Sequence, residues 1–190
     1  MQHTTFKRKY IPYIVAVICI GMMTSITISV RADTTPSPLS IFDSQLTDAT
    51  LIGQGILKIY WAQVYHLSYY TTDENKDGQP DDIILHYDYL RDVPKYATID
   101  ASRDEFKRYP QITDEKLATW IGYLEQALSD MYEGDQAIIK RQADGTISFY
   151  VGDAEPVIIS DEEFSQVFFD IWLGPESTYP SLRKQLLALN

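Results

Sequence analysis

Tyrosine and tryptophan residues are concentrated in two segments of this 190-residue chain that have strand-like patterns. The aromatic residues of these segments are Tyr60, Trp61, Tyr65, Tyr69, Tyr70, Tyr87 and Tyr89. Such a cluster can line an apolar cleft and present hydroxyl groups that orient a carboxylate or a phenol. Tyrosines also pack half-buried sheets with their hydroxyl groups at the edge. Both interpretations stay open on the sequence.

An acidic loop at 73–82 joins the two segments and has the opening of a calcium-binding sequence. Oxygen-bearing side chains stand at its positions 1, 3, 5 and 9, and Gly78 stands at position 6. Position 12 is Ile84, whereas a tight calcium loop has a bidentate glutamate there. The loop therefore predicts either a weak calcium site or a solvated turn. We predict no bound metal ion.

Side chains for nucleophilic or zinc chemistry are sparse. His66 and His86 are symmetric about Lys76, so a hairpin centred there would place them opposite one another. Zinc would need a third ligand, and none is close in sequence. The chain has one cysteine and no Gly-x-Ser-x-Gly motif. The sequence therefore predicts no catalytic residue, no metal site and no cofactor.

Apolar and polar residues alternate in the strand-like segments, which indicates a half-exposed sheet. The strongest turn signal is Asp144-Gly145 between two such segments. The predicted strands occupy Thr50 to Tyr70 with a turn at Trp61 to Gln63, then Asp82 to Tyr89, Gln136 to Lys140, Thr146 to Val151 and Val157 to Ile159.

Helices are predicted between and after the strands. One runs from Lys95 to Phe106, and another follows the capping residue Thr113. The last long helix begins at a capping box that starts at Ser160, and one of its faces carries Phe164, Val167, Phe168, Ile171 and Trp172. The element order lacks regular βαβ alternation, so it predicts an α+β domain with a largely antiparallel β-sheet and helices packed on one face.

Several short motifs of this chain resemble, in order, those of the bacterial chalcone isomerase-like family. They are Leu51-Ile52-Gly53-Gln54-Gly55, Tyr89-Leu90-Arg91-Asp92-Val93-Pro94, Glu133-Gly134-Asp135, Ile171-Trp172-Leu173-Gly174 and the Pro180, Leu182, Arg183 group. The resemblance spans about residues 49 to 188. It implies the chalcone isomerase-like, open-faced β-sandwich fold, which agrees with the α+β pattern.

The resemblance also bears on activity. Catalytic members of the family use an arginine on the strand after the glycine pair, and this chain has Leu57 there, followed by Lys58. Related proteins with this fold bind fatty acids through an arginine and a tyrosine, and here only the tyrosine, Tyr65, is kept. The resemblance therefore implies a member that binds a ligand without catalysis.

The N-terminal residues have the composition of a secretory signal. Basic residues at 7–9 precede an apolar run from Ile11 to Val30, and Val30-Arg31-Ala32 suits signal peptidase. An uncleaved membrane anchor is the alternative, because the run approaches the length of a spanning helix. We predict a signal peptide at 1–32, a flexible tether at 33–48 and one domain at 49–190, with no stable membrane insertion after cleavage.

Charge and cysteine content restrict the partners. The net charge is −11, and removal of the leader, which has four basic and no acidic residues, lowers it to −15. Such a charge disfavours nucleic acid and anionic membrane surfaces. The lone Cys19 lies in the leader, so the mature chain forms no disulfide.

Together these features predict an exported, periplasmic and non-catalytic protein that binds a small apolar or amphipathic ligand such as a fatty acid. The predicted ligand-binding residues are Tyr65, Tyr69, Tyr87, Phe168 and Trp172. The first alternative is an interaction module for another envelope protein. The second is an intramolecular lyase of the chalcone isomerase type, against which Leu57 argues.

Overall fold

The computed structural model describes residues 38–72 and 82–189, which contain one six-stranded sheet. The strands lie in chain order across the sheet, and every neighbouring pair is antiparallel. They are β1 Thr50–Ile59, β2 Ala62–Thr72, β3 Asp82–Tyr89, β4 Gln136–Arg141, β5 Ile147–Val151 and β6 Val157–Ile159. The predicted antiparallel sheet is confirmed. The first turn lies slightly earlier than predicted, at Tyr60 and Trp61, because Tyr60 adopts a positive φ of 55° that closes a tight hairpin.

Five helices accompany the sheet in the described part of the chain. They are α1 Pro38–Leu46, α2 Lys95–Phe106, α3 Asp114–Ala127, α4 Glu162–Leu173 and α5 Pro180–Leu186. The bounds of α2 agree with the prediction, and Thr113 caps α3 as expected by accepting a hydrogen bond from the Lys116 N–H at 3.2 Å. The architecture is α+β, as the order of elements predicted.

The two faces of the sheet have different partners. The inner face, which includes Leu67, Leu85, Ile139 and Phe149, packs against α2 to α5 and forms the main core. Its large residues are buried because four helices supply apolar side chains opposite them.

The outer face carries a smaller apolar cluster under α1. Phe42 of α1 is buried against Ile84 and Ile138 of the sheet. This helix lies within the segment 33–48 that the sequence predicted as a flexible tether. One buried aromatic residue anchors it, and Pro38 suits the first position of a helix. A nine-residue helix with one anchor has too short a pattern for periodicity to reveal it.

The cap of α4 differs from the predicted one. Asp161, not Ser160, is the capping residue, and its Oδ1 accepts a hydrogen bond from the Phe164 N–H at 3.0 Å. Its Oδ2 accepts a second bond from Trp120 Nε1 at 3.2 Å. Asp161 takes the position because one carboxylate can satisfy both donors.

Replacing Asp161 with alanine is expected to lower the free energy of unfolding by about 1 to 2 kcal/mol, because it removes a helix cap and leaves the Trp120 N–H without its acceptor. Asp161→Asn keeps an amide oxygen and is the control. Denaturant unfolding followed by tryptophan fluorescence measures both. Equal losses in the two variants would contradict this role of the cap.

The hairpin between β2 and β3 corrects the predicted histidine pairing. His66 lies opposite Asp88, and His86 lies opposite Ser68, so the hairpin is centred one residue later than the symmetry of the histidines suggested. The prediction that they face one another is therefore wrong. The candidate calcium loop lies outside the described residues except for Asp82, whose carboxylate pairs with Lys140 at 2.5 Å.

Candidate functional site

A cavity of about 360 Å³ lies between the inner face of the sheet and helices α2 and α4. Its volume is in the range of small-molecule pockets, which is about 300 to 1,000 Å³. The sheet contributes aliphatic and tyrosine side chains from β1 to β4, among them Leu57, Tyr65, Tyr87, Tyr89 and Ile139. The cavity is therefore an apolar chamber with phenol groups in one wall.

Helix α2 leaves this space open because four of its five lining residues are small, namely Ala97, Thr98, Ala101 and Ser102. The fifth is Glu105. The large buried residues of α2, Ile99 and Phe106, do not line the cavity and pack into the main core. Small side chains on one wall opposite large aromatic ones on the other leave a gap that side-chain packing does not fill.

Four of the five predicted ligand residues meet at this cavity. Tyr65 and Tyr87 line it from the sheet, and Phe168 and Trp172 line it from α4. Tyr69 is also buried on the inner face, opposite Gly53 and Leu85, but it does not line the cavity. That each of the four binds a ligand stays a prediction.

The aromatic residues of the wall hold one another in place. The ring centre of Tyr65 lies 5.1 Å from that of Tyr87, 5.4 Å from that of Tyr89 and 6.1 Å from that of Trp172, all with edge-to-face geometry. Trp172 in turn stacks on Tyr179 at 5.1 Å. Edge-to-face pairs of this kind are favourable beyond their buried area. The rings therefore pack as one connected cluster rather than as independent side chains.

Burial keeps the phenol groups of the wall uncharged. It raises the pKa of Tyr65 well above its usual value, and the neighbouring tyrosines raise it further. Burial likewise raises the pKa of Tyr87, with a smaller opposing effect from hydrogen bonding to Trp172. For Tyr89, burial and then Asp135 raise the pKa to about 12. The wall thus presents neutral hydroxyl groups.

Stability is expected to fall as the pH rises above about 10, where tyrosine ionises in the unfolded chain. Below that pH the Tyr89 hydroxyl is protonated in both the folded and the unfolded state. Above it the unfolded state loses this proton, whereas the folded state keeps it up to about pH 12. Each such tyrosine lowers the free energy of unfolding by about 1.4 kcal/mol per pH unit. Comparing denaturant unfolding of the wild type and Tyr89→Phe across this range isolates one residue. A difference between them that does not change with pH would contradict the raised pKa.

A single acidic residue is among the described residues that line the cavity. Glu105 of α2 accepts a hydrogen bond from Thr178 Oγ1 at 2.6 Å and pairs with Arg108 at 2.8 Å. No lysine, arginine or histidine is among the described residues that line the cavity. Sequence reasoning missed Glu105 and Met131 as lining residues; Tyr89 was in the predicted aromatic cluster but not among the five predicted ligand-binding residues. The run of small residues on α2 was the available signal for the cavity itself.

A comparison with protein families decides the affiliation of the chain. The family model described as chalcone isomerase-like matches residues 32–188, which are 157 of the 190 residues. The chain belongs to the chalcone isomerase-like family. The match begins before the span that the motifs had suggested, and it includes α1.

A solved structure of this family's fold extends the comparison. A fatty-acid binding protein of Arabidopsis thaliana is 10% identical to this chain, with a TM-score of 0.56 over 74% of this chain and 87% of that chain. At this identity the likeness establishes the fold, and the predicted chalcone isomerase-like architecture is confirmed. No curated protein sequence matches the chain.

The position expected to hold arginine in a catalytic chalcone isomerase-like protein lies on the cavity wall. Leu57 is there, 6% exposed, and it faces the inner side of the sheet opposite Tyr65. Lys58 is exposed and does not line the cavity. The wall is therefore aliphatic at the point where the family resemblance puts a guanidinium group in catalytic members.

Within 38–72 and 82–189, no helix is long and apolar enough to cross a membrane. In the same ranges, no group of three or more histidine, cysteine, aspartate or glutamate side chains is arranged to hold a metal ion. The predicted signal peptide lies outside these ranges.

Proposed function

We propose that this chalcone isomerase-like protein binds a small apolar molecule in the cavity between its sheet and helices α2 and α4. The observation that carries the proposal is the cavity itself, about 360 Å³ with a mostly apolar wall and a few phenol groups. Binding sites for small molecules commonly combine an apolar lining with a few polar groups that fix orientation. The fatty-acid binding of the Arabidopsis thaliana protein with this fold supports an apolar ligand.

We propose that the protein is not an enzyme. Leu57 stands on the cavity wall where an arginine would be needed, and an aliphatic side chain cannot stabilise a developing negative charge. The nearby charged residue of the wall, Glu105, has the wrong sign for that task. The alternative of an envelope interaction module stays a prediction.

We further propose that the chain is exported and acts in the periplasm after removal of residues 1–32. The basic residues, apolar run and Val30-Arg31-Ala32 of the leader support this. N-terminal sequencing of protein from a periplasmic fraction tests it, and Asp33 is the expected first residue. A periplasm without the protein would contradict export.

The binding proposal is tested by filling the cavity from α2. Ala97→Phe places a large ring in a space that small side chains leave open, so decanol, used as an apolar probe, is expected to bind at least about tenfold more weakly, equivalent to about 1.4 kcal/mol. Isothermal titration calorimetry of the wild type and the variant measures the difference.

Ala118→Phe is the matched control, because Ala118 is exposed on α3 and does not line the cavity. This variant is expected to bind decanol as the wild type does. Wild-type protein that binds no decanol, or an Ala97→Phe variant with wild-type affinity, would contradict binding in this cavity. Native mass spectrometry of protein from a periplasmic fraction then identifies the natural ligand by its mass.

A further inference from the structure

The charged residues around the cavity indicate which kind of apolar molecule can bind in it. An ionised carboxylate that leaves water for an apolar chamber needs a cation or several hydrogen bonds in return. None of the described lining residues is basic, and Glu105 adds a negative charge to the wall. A fatty-acid carboxylate would therefore find no basic group in the described wall, and the carboxylate that is there, Glu105, is already paired with Arg108.

Three basic residues, two on α2 and one just after it, are committed to other partners. Lys95 pairs with Glu125 at 3.2 Å, Arg103 pairs with Asp100, and Arg108 pairs with Glu105. Arg108 also donates a hydrogen bond to the backbone oxygen of Glu176 at 2.9 Å. Recruiting any of the three to a bound carboxylate would leave an acidic side chain without its partner.

The polar groups that remain in the wall are suited to an uncharged oxygen. The hydroxyl groups of Ser102 and Ser129 already donate within the chain, to the Thr98 backbone oxygen at 2.8 Å and to Met131 Sδ at 3.7 Å. Tyr65, Tyr87 and Tyr89 contribute neutral phenol groups, and Thr98 adds an aliphatic hydroxyl group. Such hydroxyl groups both donate and accept hydrogen bonds, as a ligand alcohol or carbonyl oxygen requires. Neutral hydrogen bonds of this kind compensate for the burial of a neutral oxygen more fully than for that of an ion.

We propose that the cavity selects an uncharged apolar molecule with a hydroxyl or carbonyl group and discriminates against carboxylates. This inference rests on the proposed function and names its ligand class. Leu57 is the specificity-determining residue, because it occupies a buried wall position opposite Tyr65 from which a basic side chain would reach the cavity.

The test compares decanol with decanoate on the wild-type protein by isothermal titration calorimetry at neutral pH, below the concentrations at which either probe aggregates. Decanol is expected to bind at least about tenfold more tightly, which corresponds to about 1.4 kcal/mol. Decanoate affinity equal to or above that of decanol would overturn the inference and leave the proposed function standing. Absence of binding by both probes would overturn the proposed function and the inference with it.

A substitution at Leu57 tests whether this residue determines the preference for decanol over decanoate. Leu57→Arg is expected to raise decanoate affinity at least about tenfold relative to decanol, because it supplies the missing counter-ion. Ile158→Arg adds the same charge at an exposed outer-face position of β6 and is expected to leave the ratio unchanged. If Leu57→Arg folds and keeps the wild-type ratio of decanoate to decanol affinity, Leu57 does not determine the selectivity. If that variant does not fold, the wild-type comparison still decides the ligand class.

Discussion

Replacing Phe164 with alanine is expected to lower the free energy of unfolding by about 3 to 5 kcal/mol, the usual cost of removing a buried aromatic ring. Phe164 of α4 is fully buried, and its ring lies within 6.4 Å of five other rings, centre to centre. These belong to Phe106, Trp120, Tyr123, Phe149 and Phe168. Because the six rings come from four elements, no single neighbour can move to fill the space that the ring leaves. Guanidinium chloride unfolding followed by tryptophan fluorescence measures the loss.

Trp61→Ala provides the control for that measurement. Trp61 is a larger aromatic residue, but it is 91% exposed at the tip of the first hairpin. Its replacement is expected to change the free energy of unfolding by less than about 0.5 kcal/mol. A loss at Phe164 as small as the one at Trp61 would show that the aromatic cluster does not hold the helices to the sheet.

A methyl group at Gly53 is expected to cost about 2 to 3 kcal/mol of folding stability. In Gly53→Ala the new carbon would overlap the backbone oxygens of Gln185 and Leu186, which belong to the C-terminal part of α5. Backbone atoms cannot rotate away as a side chain can, so β1 or α5 must shift. The glycine is thus needed for the close approach of helix and strand. Thermal or denaturant unfolding of the variant tests this.

Gly122→Ala is the matched control, because it makes the same substitution where there is room. Gly122 lies within α3, and an added carbon there would meet no atom within 4 Å. Since glycine is unfavourable inside a helix, this variant is expected to be more stable by about 0.5 to 1 kcal/mol. Loss of stability in both variants, or in neither, would contradict the packing role of Gly53.

The elements that the sequence predicted well are those whose signals are local. The bounds of α2 and β6 agree with the predicted ranges, and the aromatic stripe of α4 is buried against the sheet. The hairpin at Asp144-Gly145 is also confirmed: Gly145 has a φ of 84°, and Asp144 Oδ1 accepts a hydrogen bond from the Thr146 N–H at 2.8 Å. Periodicity, capping residues and turn dipeptides suffice for such elements because the responsible residues are neighbours in sequence.

The features that the sequence did not predict depend on contacts between distant residues. Helix α1 was predicted as part of a tether, because its anchor Phe42 has partners only once β3 and β4 are adjacent. The histidine pairing was wrong because a shift of one residue in the hairpin centre moves every cross-strand partner by two. Asp161 replaced Ser160 as the cap of α4 because Trp120, 41 residues earlier, supplies a second donor.

The candidate site likewise combines features that the sequence predicts with features that depend on contacts between distant residues. Sequence pattern and family resemblance by themselves determined the family, the antiparallel sheet, the aromatic faces and the aliphatic residue at Leu57. Tertiary structure alone decided that Tyr65, Tyr87, Phe168 and Trp172 meet at one cavity while Tyr69 does not. It also decided that this space stays open and lacks a basic group in its described wall. A cavity is what packing leaves unfilled, so its shape and charge depend on which side chains from separate elements come to face one another.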